Sequence, residues 1–188
     1  IDFGGQDCHH LDNGAYTGSI SAKMLKSVGC KYVIIGHSER REYQKETSKE
    51  LNLKIEIAIK NNLKVIYCIG EKFNQIKNRR EILNSQIKSL PKNINIKNLI
   101  IAYEPVWAIG TGKTPTMIEI SQIHQNIREI LSKYIGKINA MKISILYGGS
   151  VNATNAFSIL SLDHVDGALI GGASLKSKDF SKIIDSYT

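Results

Sequence analysis

A histidine stands in a polar segment directly after an apolar run. The run Tyr32–Ile35 leads into Gly36-His37-Ser38-Glu39-Arg40-Arg41, which opens a helical pattern. Backbone N–H groups and the dipole at the start of a helix disfavour a charged imidazolium. A neutral imidazole can still donate one hydrogen bond, so His37 is a candidate electrophile for a carbonyl oxygen. A purely structural histidine is the alternative.

A carboxylate occupies the same kind of position further along. Glu104 ends the apolar run Leu99–Tyr103 and is followed by Pro105, and the next helix signal comes only near Thr116. A partly desolvated carboxylate has a raised pKa and suits a general base. An ordinary connection needs only about 2–6 residues. This longer one has glycines, an apolar middle and a proline at each end, which is typical of a lid that closes over a ligand.

Two glycine pairs follow the last two apolar runs, Gly148-Gly149 and Gly171-Gly172. Glycine lets backbone N–H groups approach an anion closely, and barrels commonly bind phosphate after their last two strands. With a base, an electrophile and a lid, such a cradle predicts proton abstraction next to a carbonyl in a small phosphorylated substrate.

The elements that must position these groups alternate along the chain. Short β-branched runs end in glycine or a charged residue, and segments of helical periodicity follow them. Continuous apolar runs predict strands buried on both faces, as in a parallel sheet, and the alternation predicts right-handed crossovers. The predicted strands are Ile1–Phe3 (the tail of a strand), Tyr32–Ile35, Val65–Ile69, Leu99–Tyr103, Ile143–Tyr147 and Ala168–Ile170.

Two helices carry a capping-box signal, Thr47 with Glu50 and Thr116 with Glu119. The second continues as an apolar stripe at helical spacing, made of Ile120, Ile123, Ile127, Ile130, Leu131 and Tyr134. Periodicity leaves an open doubly wound sheet and a closed barrel as alternatives, and both place their sites at the carboxyl ends of the strands. No linker interrupts the series, so we expect one domain over residues 1–188.

The formal net charge of +8 comes from 25 basic and 17 acidic residues. The lysines are scattered and no aromatic stripe accompanies them, so we expect a solvated surface rather than a nucleic-acid interface. No apolar run approaches the roughly 20 residues of a membrane helix, and no signal-type leader is seen. Cys8, Cys30 and Cys68 are odd in number and lack CxxC spacing, which favours a reducing cytoplasm over disulfides or zinc. Cys68 is expected in the core.

Three segments resemble the signatures of the triosephosphate isomerase family: residues 36–41, 103–112 and 147–151. The resemblance extends over nearly the whole chain. It implies an α/β fold, the (β/α)8 TIM barrel, with about six of its eight βα units in this chain. It also implies interconversion of dihydroxyacetone phosphate and glyceraldehyde 3-phosphate through an enediolate, a step of glycolysis and gluconeogenesis that uses no cofactor.

The family's roles, including its known base, neutral histidine and closing loop, transfer to matching positions. Glu104 would be the base, His37 would polarise the carbonyl, and Glu39 would be the carboxylate that organises the family's catalytic lysine. The residues implied to hold the phosphate are Gly110, Ser150, Gly171 and Gly172. The implied lid comprises Pro105, Val106, Trp107, Ala108, Ile109, Thr111, Gly112 and Lys113.

The segment Gln6 to Gly18 resembles the family's long third loop, which inserts into a twofold partner. The resemblance therefore implies a homodimer, with Asn13 and Gly14 at the turn and Tyr16 and Thr17 near the neighbour. The adjacent His9-His10 could suggest a metal. Neighbouring side chains are expected to point apart and no carboxylate cluster accompanies them, so no metal site is expected.

The chain begins at Ile1, inside what resembles the family's third strand. The family's Asn-x-Lys pair, at the end of its first strand, has no counterpart in these residues. We therefore expect an N-terminally incomplete stretch of a complete enzyme. A non-catalytic phosphate-binding barrel is the alternative.

Overall fold

The computed structural model describes residues 1–109 and 114–187. Within these ranges, six strands form one sheet in which each strand pairs in parallel with the next one along the chain. The strands are β1 (Gly4–Gly5), β2 (Tyr32–Ile35), β3 (Lys64–Ile69), β4 (Leu99–Tyr103), β5 (Ile145–Tyr147) and β6 (Gly167–Ala168).

The strand order decides between the two architectures that periodicity leaves open. A doubly wound sheet reverses its strand order at a switch point, whereas the described strands run β1-β2-β3-β4-β5-β6 without a reversal. This monotonic parallel order is that of a (β/α) barrel, of which the chain supplies six strands. The α/β barrel prediction is confirmed, and so are six of its eight units.

Helices connect the strands, as the alternating pattern predicts. Within the described ranges they are α1 (Ala22–Ser27), α2 (Ser38–Tyr43), α3 (Ser48–Lys60), α4 (Arg79–Lys88), α5 (Met117–Ile135), α6 (Lys137–Ala140), α7 (Ala156–Leu160) and α8 (Ser177–Asp185). Both predicted capping boxes are present, at Thr47 before α3 and at Thr116 before α5. None of these helices combines the length and apolar character that a bilayer crossing requires.

The core lies between the sheet and its helices. The apolar stripe of α5 is buried as predicted, apart from the half-buried Tyr134. Tyr67, Tyr103 and Tyr147 are the largest fully buried side chains and lie on three successive strands. All three cysteines are buried and free, which confirms the core position of Cys68.

Four predicted strands differ from the structure in their bounds. The first lies at Gly4–Gly5 rather than Ile1–Phe3, the third begins at Lys64 rather than Val65, the fifth begins at Ile145 rather than Ile143, and the sixth is Gly167–Ala168 rather than Ala168–Ile170. Hydrophobicity located these strands, but a ladder extends only where the neighbouring strand offers partners. The β5–β6 ladder, for example, joins only two residue pairs, Leu146 with Gly167 and Tyr147 with Ala168.

Candidate active site

The predicted base and electrophile meet at the carboxyl edge of the sheet. His37 follows β2 and Glu104 follows β4, two strands away. The Nε2 atom of His37 lies 3.0 Å from Oε1 of Glu104. The other carboxylate oxygen, Oε2, accepts the backbone N–H of Ser38 at 2.9 Å. The structure therefore brings these two predicted residues into direct contact.

Glu104 is almost fully buried, with 1% of its surface exposed. Burial raises the pKa of the Glu104 carboxyl above its ordinary 4.5, while His37, the Ser38 N–H and the Cys68 thiol act in the opposite direction. Among the residues that the structure describes, Oε1 has no hydrogen-bond partner. Its approach to the His37 ring is thus a contact without hydrogen-bond alignment, and a lone pair on Oε1 remains available to accept a proton.

Two glycines make room for this carboxylate. A Cβ at Gly70, just after β3, would lie 1.8 Å from the carbonyl oxygen of Glu104. A Cβ at Gly148, just after β5, would lie 3.0 Å from the Glu104 Cγ. The backbone itself is fixed on the β3 side, because the N–H of Glu104 donates to Ile69 at 2.7 Å. The glycine after β3 therefore makes room for the backbone of Glu104, and the glycine after β5 makes room for its side chain.

The position of His37 indicates which of its nitrogens carries the proton. His37 is the N-cap of α2, and its Nδ1 accepts the backbone N–H of Glu39 at 3.3 Å. A nitrogen that accepts a hydrogen bond is unprotonated, so the neutral ring carries its hydrogen on Nε2. That hydrogen faces the site. The Glu39 side chain lies beside the ring, 3.8 Å from Nδ1, and is 68% exposed.

A second buried carboxylate, Glu71, anchors the start of the predicted lid. Glu71 is fully buried and accepts hydrogen bonds from Tyr103 Oη at 3.1 Å, Trp107 Nε1 at 3.1 Å and Arg79 Nε at 2.8 Å. Its carbonyl accepts the N–H of Val106 at 3.1 Å. Glu71 was not predicted as a site residue, although it comes two residues after the end of β3.

The first half of the predicted lid is well anchored. Pro105 precedes a short 3-10 turn, Val106–Ala108, in which the Ala108 N–H donates to Pro105 at 2.7 Å. The Ala108 carbonyl accepts the Ser150 hydroxyl at 2.7 Å, so this half is joined to the segment after β5. Ile109 ends the described part. Four predicted site residues lie outside the described residues: Gly110, Thr111, Gly112 and Lys113.

The predicted phosphate residues of the last two strands follow neighbouring strands. Tyr147 at the end of β5 pairs with Ala168 at the end of β6, and Ser150 and Gly171 each come three residues after these strand ends. Gly171 and Gly172 are exposed, and a Cβ built on either would meet no atom of residues 1–109 or 114–187 within 4 Å. Close packing against the described part of the chain therefore does not explain these glycines.

The tip of the predicted dimer loop is exposed. Asn13, Gly14, Tyr16 and Thr17 are all exposed, and Gly14 adopts φ +138°, which glycine tolerates. The Tyr16 ring packs on His9 with ring centroids 4.2 Å apart. The expectation that His9 and His10 point apart is wrong, because their rings stack at 4.3 Å. Among the described residues, no group of three or more His, Cys, Asp or Glu side chains could hold a metal ion.

The family model, the sequence relatives and the solved structure described below all name the same family. The profile of triosephosphate isomerase matches residues 1–187. The triosephosphate isomerase of Mesorhizobium japonicum is 48% identical over 190 residues, covering 100% of this chain and 74% of the relative. That of Chlorobium phaeobacteroides is 44% identical over 188 residues, covering 96% of this chain and 74% of the relative.

A solved structure agrees with these sequence relatives. The crystal structure of triosephosphate isomerase from Bartonella henselae superposes with a TM-score of 0.91 at 44% identity, covering 100% of this chain and 76% of that one. Because these relatives carry the name of the enzyme, the comparisons favour the isomerase over the non-catalytic barrel. The chain belongs to the triosephosphate isomerase family.

Proposed function

We propose that this chain interconverts dihydroxyacetone phosphate and glyceraldehyde 3-phosphate, with Glu104 as the base and His37 as the electrophile. The observation that carries the proposal is a single contact. A buried carboxylate oxygen without a hydrogen-bond partner in the described part of the chain lies 3.0 Å from a histidine nitrogen. A base for a carbon-bound proton and a donor for the adjacent carbonyl oxygen need this proximity, because the two reacting atoms of the substrate are neighbours.

The proposed reaction is a balanced proton shuttle. Glu104 takes a proton from the carbon next to the carbonyl, and the electron pair of that C–H bond forms the double bond of an enediolate. The carbonyl oxygen gains the negative charge, and the Nε2 hydrogen of His37 donates to it. Glu104 then returns the proton to the neighbouring carbon. The hydroxyl on that carbon's partner loses its proton and becomes the new carbonyl, and the former carbonyl oxygen, next to Nε2 of His37, takes up a proton, so that an aldose becomes a ketose, or the reverse. Nothing is oxidised or reduced overall.

The surroundings of Glu104 support its role as a base. A carboxylate in water is a weak base for a carbon acid, and burial brings its pKa closer to that of the substrate. The same burial excludes water, which strengthens the donation from His37 to the developing oxyanion. Glu39, through its backbone N–H to Nδ1 of His37, would keep the proton on Nε2.

The phosphate would bind above the last two strands. We propose Ser150, Gly171 and Gly172 for this role, because they follow the ends of β5 and β6, which pair with each other, together with Gly110 on the lid. The lid from Pro105 to Lys113 would close over the enediolate and exclude the water in which it would lose phosphate. The Ser150 contact with the Ala108 carbonyl supports a connection between phosphate binding and the lid.

Substitution of Glu104 tests the proposal in the protein expressed from its complete reading frame. Glu104→Gln removes the basic oxygen with little change of shape, and Glu104→Asp withdraws it by one methylene. We expect kcat to fall by roughly 10³-fold or more in the first variant and by roughly 10²-fold in the second. Calorimetric titration with phosphoglycolate should still show binding to both. Turnover of Glu104→Gln at the wild-type rate would remove the proposed base.

Three further proposals rest on the family membership. We propose that residues 1–188 belong to a single TIM-barrel domain, that the protein is a cytoplasmic enzyme, and that two copies associate through the loop Gln6 to Gly18. The exposure of Asn13 and Tyr16 at the tip of that loop supports the last proposal. Sedimentation of wild type against a variant lacking residues 13–16 would test it, since only the wild type should run as a dimer.

A further inference from the structure

The guanidinium of Arg41 joins the backbone at the carboxyl ends of β2 and β3, two neighbouring strands beside the proposed site. The Nε atom of Arg41 donates to the carbonyl of Gly36 at 2.7 Å, and its Nη2 donates to the carbonyl of Cys68 at 2.8 Å. Its Cζ lies over the Tyr67 ring, 5.5 Å from the centroid. The regular β2–β3 ladder ends at Ile35 with Tyr67, so Gly36 and Cys68 are the first residues past the last paired positions.

One of these carbonyls belongs to the peptide that enters His37, and the other lies one residue before the backbone partner of Glu104. The Gly36 carbonyl is in the peptide that enters His37, where the backbone turns away at φ +75°. The Cys68 carbonyl is in the peptide that enters Ile69, whose own carbonyl accepts the N–H of Glu104 at 2.7 Å. The Cys68 thiol also lies beside the Glu104 carboxylate. Arg41 thus contacts the backbone that enters His37 and the backbone of the strand between the two proposed site residues.

The geometry requires an arginine rather than a positive charge alone. A guanidinium offers several N–H donors in a rigid plane, so it can serve two carbonyls at once and stack on a ring. The fork is also packed closely, since a Cβ at Gly36 would lie 2.9 Å from Arg41 Nη2. A lysine ammonium is a point donor on a flexible stem. A lysine at this position could donate to one of the two carbonyls, but it would not fix the distance between them.

We propose that Arg41 is a positioning residue, whose fork sets the separation of the His37 ring from the Glu104 carboxylate. The inference rests on the proposed function of those two side chains. Catalysis by positioned groups is steep in distance, and a misplacement of about 1 Å costs on the order of 10²-fold in rate. Phosphate binding above β5 and β6 does not pass through this fork. Loss of the fork should therefore lower kcat and leave substrate affinity nearly unchanged.

The test compares Arg41→Lys and Arg41→Ala with Arg80→Lys in the complete protein. Arg80 is a matched control, because its fork also joins two groups, Asn126 and Glu129, on the exposed outer face of the molecule. We expect Arg41→Lys to lower kcat by roughly 10- to 100-fold with KM within about twofold, and Arg80→Lys to keep wild-type kinetics. Added ethylguanidinium should restore part of the kcat of Arg41→Ala. Rates are divided by the number of phosphoglycolate sites, so that only folded protein is counted.

Two results would overturn the inference. One is Arg41→Lys with wild-type kcat per site and only a lower melting temperature, which would make Arg41 a stabilising residue. The other is failure of both Arg41 variants to fold, which has the same meaning. A failure of the proposed function would give a different result from a failure of this inference. In that case the wild type would show no turnover, or Glu104→Gln would retain turnover.

Discussion

The glycine after β5 offers a graded test of how the base is held. In Gly148→Ala, the new Cβ would lie 3.0 Å from the Glu104 Cγ and 3.2 Å from the Tyr103 carbonyl oxygen. Ordinary contact begins at 3.4 Å, so the carboxylate side chain must move by about 0.4 Å, the difference between 3.4 and 3.0. A displacement of about 1 Å costs on the order of 10²-fold. A shift of a few tenths of an ångström should therefore lower kcat roughly tenfold, with little change in KM.

The assay is steady-state isomerisation in both directions, with the reference variant Gly136→Ala. Gly136 has φ +85° and no atom within 4 Å of a built Cβ, so alanine there strains the backbone without pressing on the site. The backbone of Gly136, at φ +85° and ψ 149°, lies in a region that is almost restricted to glycine, so the variant should lose about 1–3 kcal/mol of stability and no turnover per folded molecule. Wild-type kcat in Gly148→Ala, or equal losses of kcat in both variants, would refute the reasoning that this glycine makes room for the base.

Two further predictions concern the stability of the fold. Arg128→Leu should lower the free energy of unfolding by about 3 kcal/mol in urea titrations, because the buried guanidinium donates to the Ala140 and Ile143 carbonyls and to Asp166. Its loss removes three hydrogen bonds, although Ala140 keeps the Ile143 N–H and Asp166 keeps the Ile145 N–H; a loss below about 1 kcal/mol would contradict this. Burial lowers the pKa of His124 from 6.5 to about 4. Between these pH values the unfolded chain binds a proton that the native chain does not. The free energy of unfolding should therefore fall as the pH drops from 6.5 towards 4, by up to ~3 kcal/mol. Unfolding titrations of His124→Gln should lack this part of the acid loss, and an unchanged pH dependence would show that His124 is not its source.

Much of the fold could be predicted from the periodicity of apolar residues, because buried parallel strands and amphipathic helices have strong sequence patterns. Tyr32–Ile35 and Leu99–Tyr103 are confirmed to the residue, and both capping boxes are present. The weaker strands were misplaced because β1 and β6 are two-residue ladders rich in glycine, where pairing partners rather than hydrophobicity set the limits. Strand order had to come from the structure, since a monotonic and a reversed order share the same alternation of elements.

The proposed site was partly visible in the sequence because its residues directly follow strands. His37 and Glu104 stand out as polar residues at the ends of apolar runs, and the structure places them in contact. Glu71 and Arg41 were missed as site residues for a different reason. Their importance lies in partners that are distant in sequence, Tyr103 and Trp107 for Glu71 and Cys68 for Arg41. A side chain that satisfies remote backbone or polar groups leaves no periodic signal.

The most direct test of the account is the exchange of the substrate's carbon-bound hydrogen with solvent. Wild-type protein incubated with dihydroxyacetone phosphate in deuterium oxide should place deuterium on carbon, because the proton held by Glu104 exchanges while the enediolate is bound. With Glu104→Gln, mass spectrometry or proton NMR should show incorporation slowed by roughly 10³-fold or more, with phosphoglycolate binding retained. Incorporation by Glu104→Gln at the wild-type rate would contradict the claim that this carboxylate moves the proton.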